Sequence, residues 1–188
     1  MVNDHPGYNP ENLAYVYIGA VDSTGRAKLI EETQRLPEVD AITTCYNLPF
    51  WGASGNNVYL PGDDRELFNI ADLYDVGNDY LNVLEIPIVE GQYFTENTTS
   101  SQEILVSRNF IEYMKPFADW KDGAVGKTVQ ITGHDTKSES MPLFTIRGVF
   151  EDFRLGSISG EDPRAKIMFY TNCLLYTSAA ADEEDSVD

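Results

Sequence analysis

The apolar residues of this sequence fall into short runs rich in Val, Ile, Tyr and Phe, and proline, glycine or asparagine soon cuts most of them off. Runs this short suit strands, which average roughly 5–6 residues, better than helices, which average roughly 11–12. Strand candidates lie at 13–21, 39–46, 57–60, 65–76, 103–107, 126–131, 143–150 and 166–177. Helical spacing is rarer. It covers 26–36, where Leu29, Thr33 and Leu36 recur about one turn apart, a short turn at 79–84, and 108–114. Strands outnumber helices, which predicts an α+β chain.

The first fifty residues read as one unit. The run 13–21 is almost continuously apolar, as expected of a strand buried on both faces. Asp22, Ser23 and Thr24 offer N-cap oxygens for the helix that follows, and Pro37 stops it. With 39–46 as the next strand, the unit is βαβ-like. Turn residues then cluster at 48–62 (Pro49, Gly52, Gly55, Pro61, Gly62) and mark a boundary. Further on, 126–131 and 143–150 flank a polar loop at 133–140 and predict a long hairpin. The expected organisation is a strand–helix–strand at 1–50, a β-rich unit at 51–178 and an acidic tail at 179–188, with no internal repeat.

Composition narrows function by exclusion. The chain carries 13 Lys plus Arg against 31 Asp plus Glu, a net charge of −18. A protein binds a phosphate backbone by displacing its counterions with cations, so a nucleic-acid partner is disfavoured. No apolar stretch approaches the ~20 residues that cross a bilayer, and the N-terminus has neither the basic nor the apolar region of a signal peptide. Cys45 and Cys173 lie far apart in apolar runs and read as two buried thiols, with a disulfide as the alternative.

Catalytic and ligand motifs fail on spacing. Gly126-Lys127-Thr128 lacks the glycine five residues upstream that a phosphate loop needs, and it opens a strand where such a loop opens a helix. His5 falls in an N-terminus expected to fray, and His134 in the polar loop. Asp63-Asp64, Glu151-Asp152 and Glu161-Asp162 could be imagined as acid–base pairs, but each reads better as a solvated turn. Asp72, Asp75, Asn78 and Asp79 lack the alternation of a calcium loop. No metal and no cofactor are expected. Asn97-Thr98-Thr99 matches a glycosylation sequon, a weak signal alone. Trp51 reads first as a core residue. Its loop and the tip at 133–140, with His134, are nonetheless the candidate partner contacts, because both segments are long and irregular.

Six fragments in order resemble the periplasmic core domain of MacB-like, or FtsX-like, ABC transporter permeases. They are Gly7-Tyr8-Asn9-Pro10, Leu36-Pro37-Glu38-Val39, the pair 79–84 and 90–94, the stretch 104–110, Val125-Gly126-Lys127-Thr128-Val129, and the run 144–153 ending in Glu151-Asp152-Phe153. Two positions depart from the pattern: Gln92 stands where Arg is usual, and Arg147 where an apolar residue is common. The resemblance implies a two-lobed extracytoplasmic domain on the periplasmic side of the inner membrane, set between the first two transmembrane helices of a permease. Residues 13–46 would begin a porter-like βαβ lobe, and a mixed β lobe would follow from about 48. In the family a second strand–helix–strand completes the porter-like lobe, and none is visible before Asp188, so either the lobe is incomplete in this chain or this branch is built differently. Such a domain does no chemistry. It moves with ATP-driven changes and handles a substrate or a periplasmic partner protein. The implied partners are the transmembrane helices and nucleotide-binding domain of a dimeric parent. A stand-alone secreted or lipid-anchored binding module is the alternative reading.

Overall fold

The computed structural model describes residues 5–49, 55–95, 102–132, 141–154 and 164–171, with only the backbone at 69–71. In chain order the elements are α1 (Ser23–Gln34), β1 (Gly55–Tyr59), β2 (Phe68–Val76), α2 (Tyr80–Val83), β3 (Ile88–Gly91), β4 (Glu103–Ser107), α3 (Arg108–Met114), β5 (Thr128–Ile131), β6 (Leu143–Phe150) and β7 (Lys166–Tyr170). The chain is mixed α and β, rich in strands and with few, short helices.

The strands run β3-β6-β4-β7-β2-β1-β5, and β5 also pairs with β6. That last pairing closes the ring through β6, β4, β7, β2, β1 and β5 into a small barrel. One edge of β6 runs parallel to β4 along its length. Its other edge is shared, with 143–145 bonded to β5 and 148–150 bonded to β3. The hairpin expected between 126–131 and 143–150 is thus the closing seam, and β3 is a strand that periodicity did not anticipate.

Alternation along each strand divides the core in two. Ile104, Val106, Ile167 and Phe169 face one cluster, which Phe110 and Met114 of α3 also enter. Leu105 and Met168 face the opposite way, into a second cluster with Tyr74, Tyr80, Leu84 and Phe153. The pairing of β4 with β6 steps from Ile104↔Ile146 to Leu105↔Gly148, which leaves Arg147 as the extra residue of a bulge. The bulge flips the parity of β6. Phe144 and Ile146 face the first cluster before it, and Val149 faces it afterwards. Gly91 sits where β3 meets this bulge. Its φ of +71° and the carbonyl of Arg147, 2.3 Å from where a Cβ would stand, leave room only for glycine.

The N-terminal unit differs from its expectation. α1 forms, and Asp22 caps it through Gly25 N–H at 2.7 Å. Yet 13–21 forms no strand, and 39–46 contributes only a single bridge between Cys45 and Val76. A strand exists only against a neighbour, and no strand among the described residues lies beside 13–21. The βαβ unit is therefore not assembled. Leu29 on α1 is 41% exposed, and Leu36, just beyond the helix, is 51% exposed. The buried residue of α1 is Arg26, whose guanidinium donates to the carbonyls of Ile18, Gly19 and Val21.

Candidate functional surface

Trp51, His134, Cys173 and the pair Glu161-Asp162 lie outside the described residues. Several of the other carboxylates weighed as acid–base or calcium candidates are held by cations or backbone donors. Asp63 accepts from Arg65, and this contact lowers its pKa to about 2. Glu151 pairs with Arg108 at 2.9 Å. Asp72 is buried, with Arg164 3.5 Å away. No group of three His, Cys, Asp or Glu among the described residues could hold a metal ion. Gly126 and Lys127 bond in backbone to Ile146 at the barrel seam, and β5 begins after them at Thr128, two residues later than expected.

The structure does bring together one set of charges that sequence spacing did not flag. Lys166, fully buried at the start of β7, holds its ammonium 3.9 Å from Asp152 and 5.3 Å from the ring centroid of Phe153. It also donates to the carbonyl of Arg164 at 3.1 Å. Asp152 accepts from the N–H of Asn109 at 2.7 Å. Ser107 stands between β4 and α3, and its hydroxyl accepts from Phe110 N–H at 3.3 Å and from Lys166 N–H at 3.0 Å. Burial pushes the Asp152 carboxyl up, against the pull of the Asn109 N–H and Lys166. The cluster ties the end of β6 to α3 and β7. Its one sequence signal is a lysine opening an otherwise apolar run, which ordinarily marks an exposed strand end.

The other distinctive surface is apolar. Tyr15, Val16 and Tyr17 are 59%, 75% and 78% exposed, and Leu29, Leu36 and Tyr46 add to the same unit. Such residues are seldom left so exposed together on a surface that no partner covers.

Comparison with protein families then decides the affiliation, because the description "MacB-like periplasmic core domain" matches residues 1–187. The chain belongs to this family. It is the periplasmic domain of a MacB-like ABC transporter permease. No helix among its described residues is long and apolar enough to cross a membrane. Similar solved structures include the periplasmic region of MacB from Actinobacillus actinomycetemcomitans, at 17% identity and a TM-score of 0.48, covering 74% of this chain and 52% of that one. Another is the extracellular domain of the ABC-type transporter YknZ from Gram-positive bacteria, at 13% identity and a TM-score of 0.49, covering 78% and 63%. The chain therefore spans about half to two thirds of the length of these structures. A search of curated proteins finds no match.

The two departures from the MacB-like pattern turn out to be neighbours. Gln92 N–H donates to the carbonyl of Arg147 at 3.4 Å. The Arg147 guanidinium donates to Tyr93 O at 2.8 Å and pairs with Glu103 at 2.8 Å. An arginine is accommodated at this position of β6 because the bulge re-aims it away from the core.

Proposed function

We propose that this MacB-like domain does no chemistry and couples ATP-driven movements of its parent permease to the handling of a substrate or a periplasmic partner protein. The observation that carries the reading is the family match over residues 1–187, joined to an N-terminal unit that leaves Tyr15, Val16, Tyr17, Leu29 and Leu36 exposed. In this reading the chain has two lobes. The barrel is the β lobe, and 1–50 is half of a porter-like lobe that a second strand–helix–strand would complete by pairing with 13–21. The engagement of Asp63, Glu151 and Asp152 with cations and backbone donors supports a non-catalytic role. The parent acts as a dimer, through its transmembrane helices and nucleotide-binding domain. The loop around Trp51 and the tip at 133–140 with His134 are the proposed partner contacts, on the strength of their sequence.

Hydrogen exchange on the full-length permease in membranes tests this. Amides at 15–17 should gain protection relative to the isolated chain, and exchange within 10–46 should change between the nucleotide-free and ATP-bound states. Equal exchange at 15–17 in the two proteins would overturn the lobe, and insensitivity to nucleotide would overturn the coupling.

A further inference from the structure

Of the N-terminus expected to fray, residues 6–9 are instead fastened to the barrel. Pro6 accepts through its carbonyl from Arg154 N–H at 2.7 Å, and Asn9 N–H donates to Leu84 O at 2.9 Å. Asn9 also donates from its side-chain amide to Glu85 at 2.9 Å, while its Oδ1 accepts from Glu11 N–H and turns the chain outward. Between these anchors Gly7 presses on the backbone at the end of β6. Its φ is +84°, and a Cβ there would lie 2.5 Å from Asp152 O and 2.7 Å from Phe153 Cα. Tyr8 packs edge-on against Phe153, at 6.5 Å between centroids. Phe153 is itself buried against Tyr74, Phe150 and the Lys166 ammonium.

We propose that residues 5–9 are a strap fastening the entry of the chain to the barrel at Asp152 and Phe153, so that entry and barrel move as one body while 14–42 moves apart from them. The contacts differ in kind on the two sides of Asn9. Before it, backbone bonds and a close approach that only glycine permits bind the chain to a junction held by the Asp152–Lys166–Ser107 cluster. Beyond Leu13, which still packs against the second core cluster, Tyr15, Val16 and Tyr17 are exposed, and the chain returns to the barrel at Thr43, whose hydroxyl donates to Asn78 O at 2.5 Å, and at Thr44, whose carbonyl accepts from Gly77 N–H at 2.7 Å. The strap goes further than the proposed function. It says where a displacement of the entering chain is received, and it holds whatever protein the domain serves.

Native-state hydrogen exchange of the 188-residue chain in low denaturant tests it. The amides of Asn9 and Arg154 should open together with the barrel references Asp72 and Thr171, and more slowly than Val21. Exchange of Asn9 and Arg154 at the rate of Val21 or faster would overturn the strap. In Gly7→Ala, a side chain forced into a left-handed, crowded site should lower the protection of Asn9 and Arg154, relative to the barrel references, by about tenfold or more. Should that variant fail to fold, Tyr8→Ala is read by the same ratio, with a smaller fall expected. An unchanged ratio in the variant that folds would also overturn it.

Discussion

The barrel and the N-terminal unit draw on the same residue types and end in opposite states. In the barrel, strands rich in Ile, Val and Phe bury both faces: Ile104, Leu105 and Val106 are all at 0% exposure. In 13–21, an equally apolar run of Tyr, Val and Ile leaves three successive side chains in solvent. Propensity and hydrophobicity do not separate the two. What separates them is a neighbour. β4 has β6 on one side and β7 on the other, with helices and turns over its outer face. The described residues provide 13–21 with no strand at all. Apolar content states what a segment can bury, and partners decide whether it does.

The largest effect that can test this contrast lies where α3 closes the barrel. Phe110 is fully buried and stacks edge-on with Phe68 at 5.4 Å. Phe110→Ala should cost roughly 3–5 kcal/mol of unfolding free energy in a denaturant titration, since it removes a large apolar side chain and leaves a cavity. A loss below about 1 kcal/mol would mean that this end of the barrel is not packed.

How much of this was legible in advance follows the same division. β4, α3 and β6 occupy the residues that periodicity assigns them, because local signals coincide there. Glu103–Ser107 is a bounded β-branched run, Ser107 is a capping residue, and Leu143–Phe150 follows a polar loop. The strand 65–76 was also visible, although its observed start is Phe68. The order of the strands was not, because closing β5 onto β6 depends on pairings far apart in sequence. The bulge at Arg147 was hidden for a related reason: an arginine in an apolar run looks like an anomaly until its partner Glu103 is seen. Lys166 is the sharpest case. Only the fold reveals that its ammonium meets a carboxylate and an aromatic face, and no local pattern separates that from an exposed strand end.

A smaller effect should appear at that buried cluster. Burial raises the folded-state pKa of Asp152 above its ordinary value, so the folded protein takes up a proton before the unfolded chain does. The groups facing it are Lys166, Ser107, the N–H of Asn109 and the neighbouring Glu151. In the window between the ordinary value near 3.8 and the raised one, this residue's contribution to stability grows as pH falls and shrinks as pH rises. Asp152→Asn removes that dependence. Melting curves from neutral pH toward pH ~4 should therefore show the difference between wild type and Asp152→Asn moving in favour of wild type. A difference that stays flat, or moves the other way, would mean that the carboxylate is solvated and the cluster open.

The smallest effect is the most exposed to refutation. At 78% exposure Tyr17 has little packing to lose, so Tyr17→Ser should change the stability of the chain by no more than about 0.5 kcal/mol. The substitution is severe by chemistry, since it removes an aromatic ring from an apolar run, and the same exchange inside the barrel would cost several times more. A loss of 2 kcal/mol or more would show that 13–21 buries Tyr17 in solution, and the contrast between the two regions would collapse. A null result would carry its own consequence. Sequences seldom keep tyrosine and valine adjacent on a solvated segment unless they are covered in some state of the protein. The same Tyr17→Ser placed in the full-length permease should then become costly. That switch, from silent in this chain to destabilising in the whole protein, would identify 13–21 as a strand waiting for its neighbour.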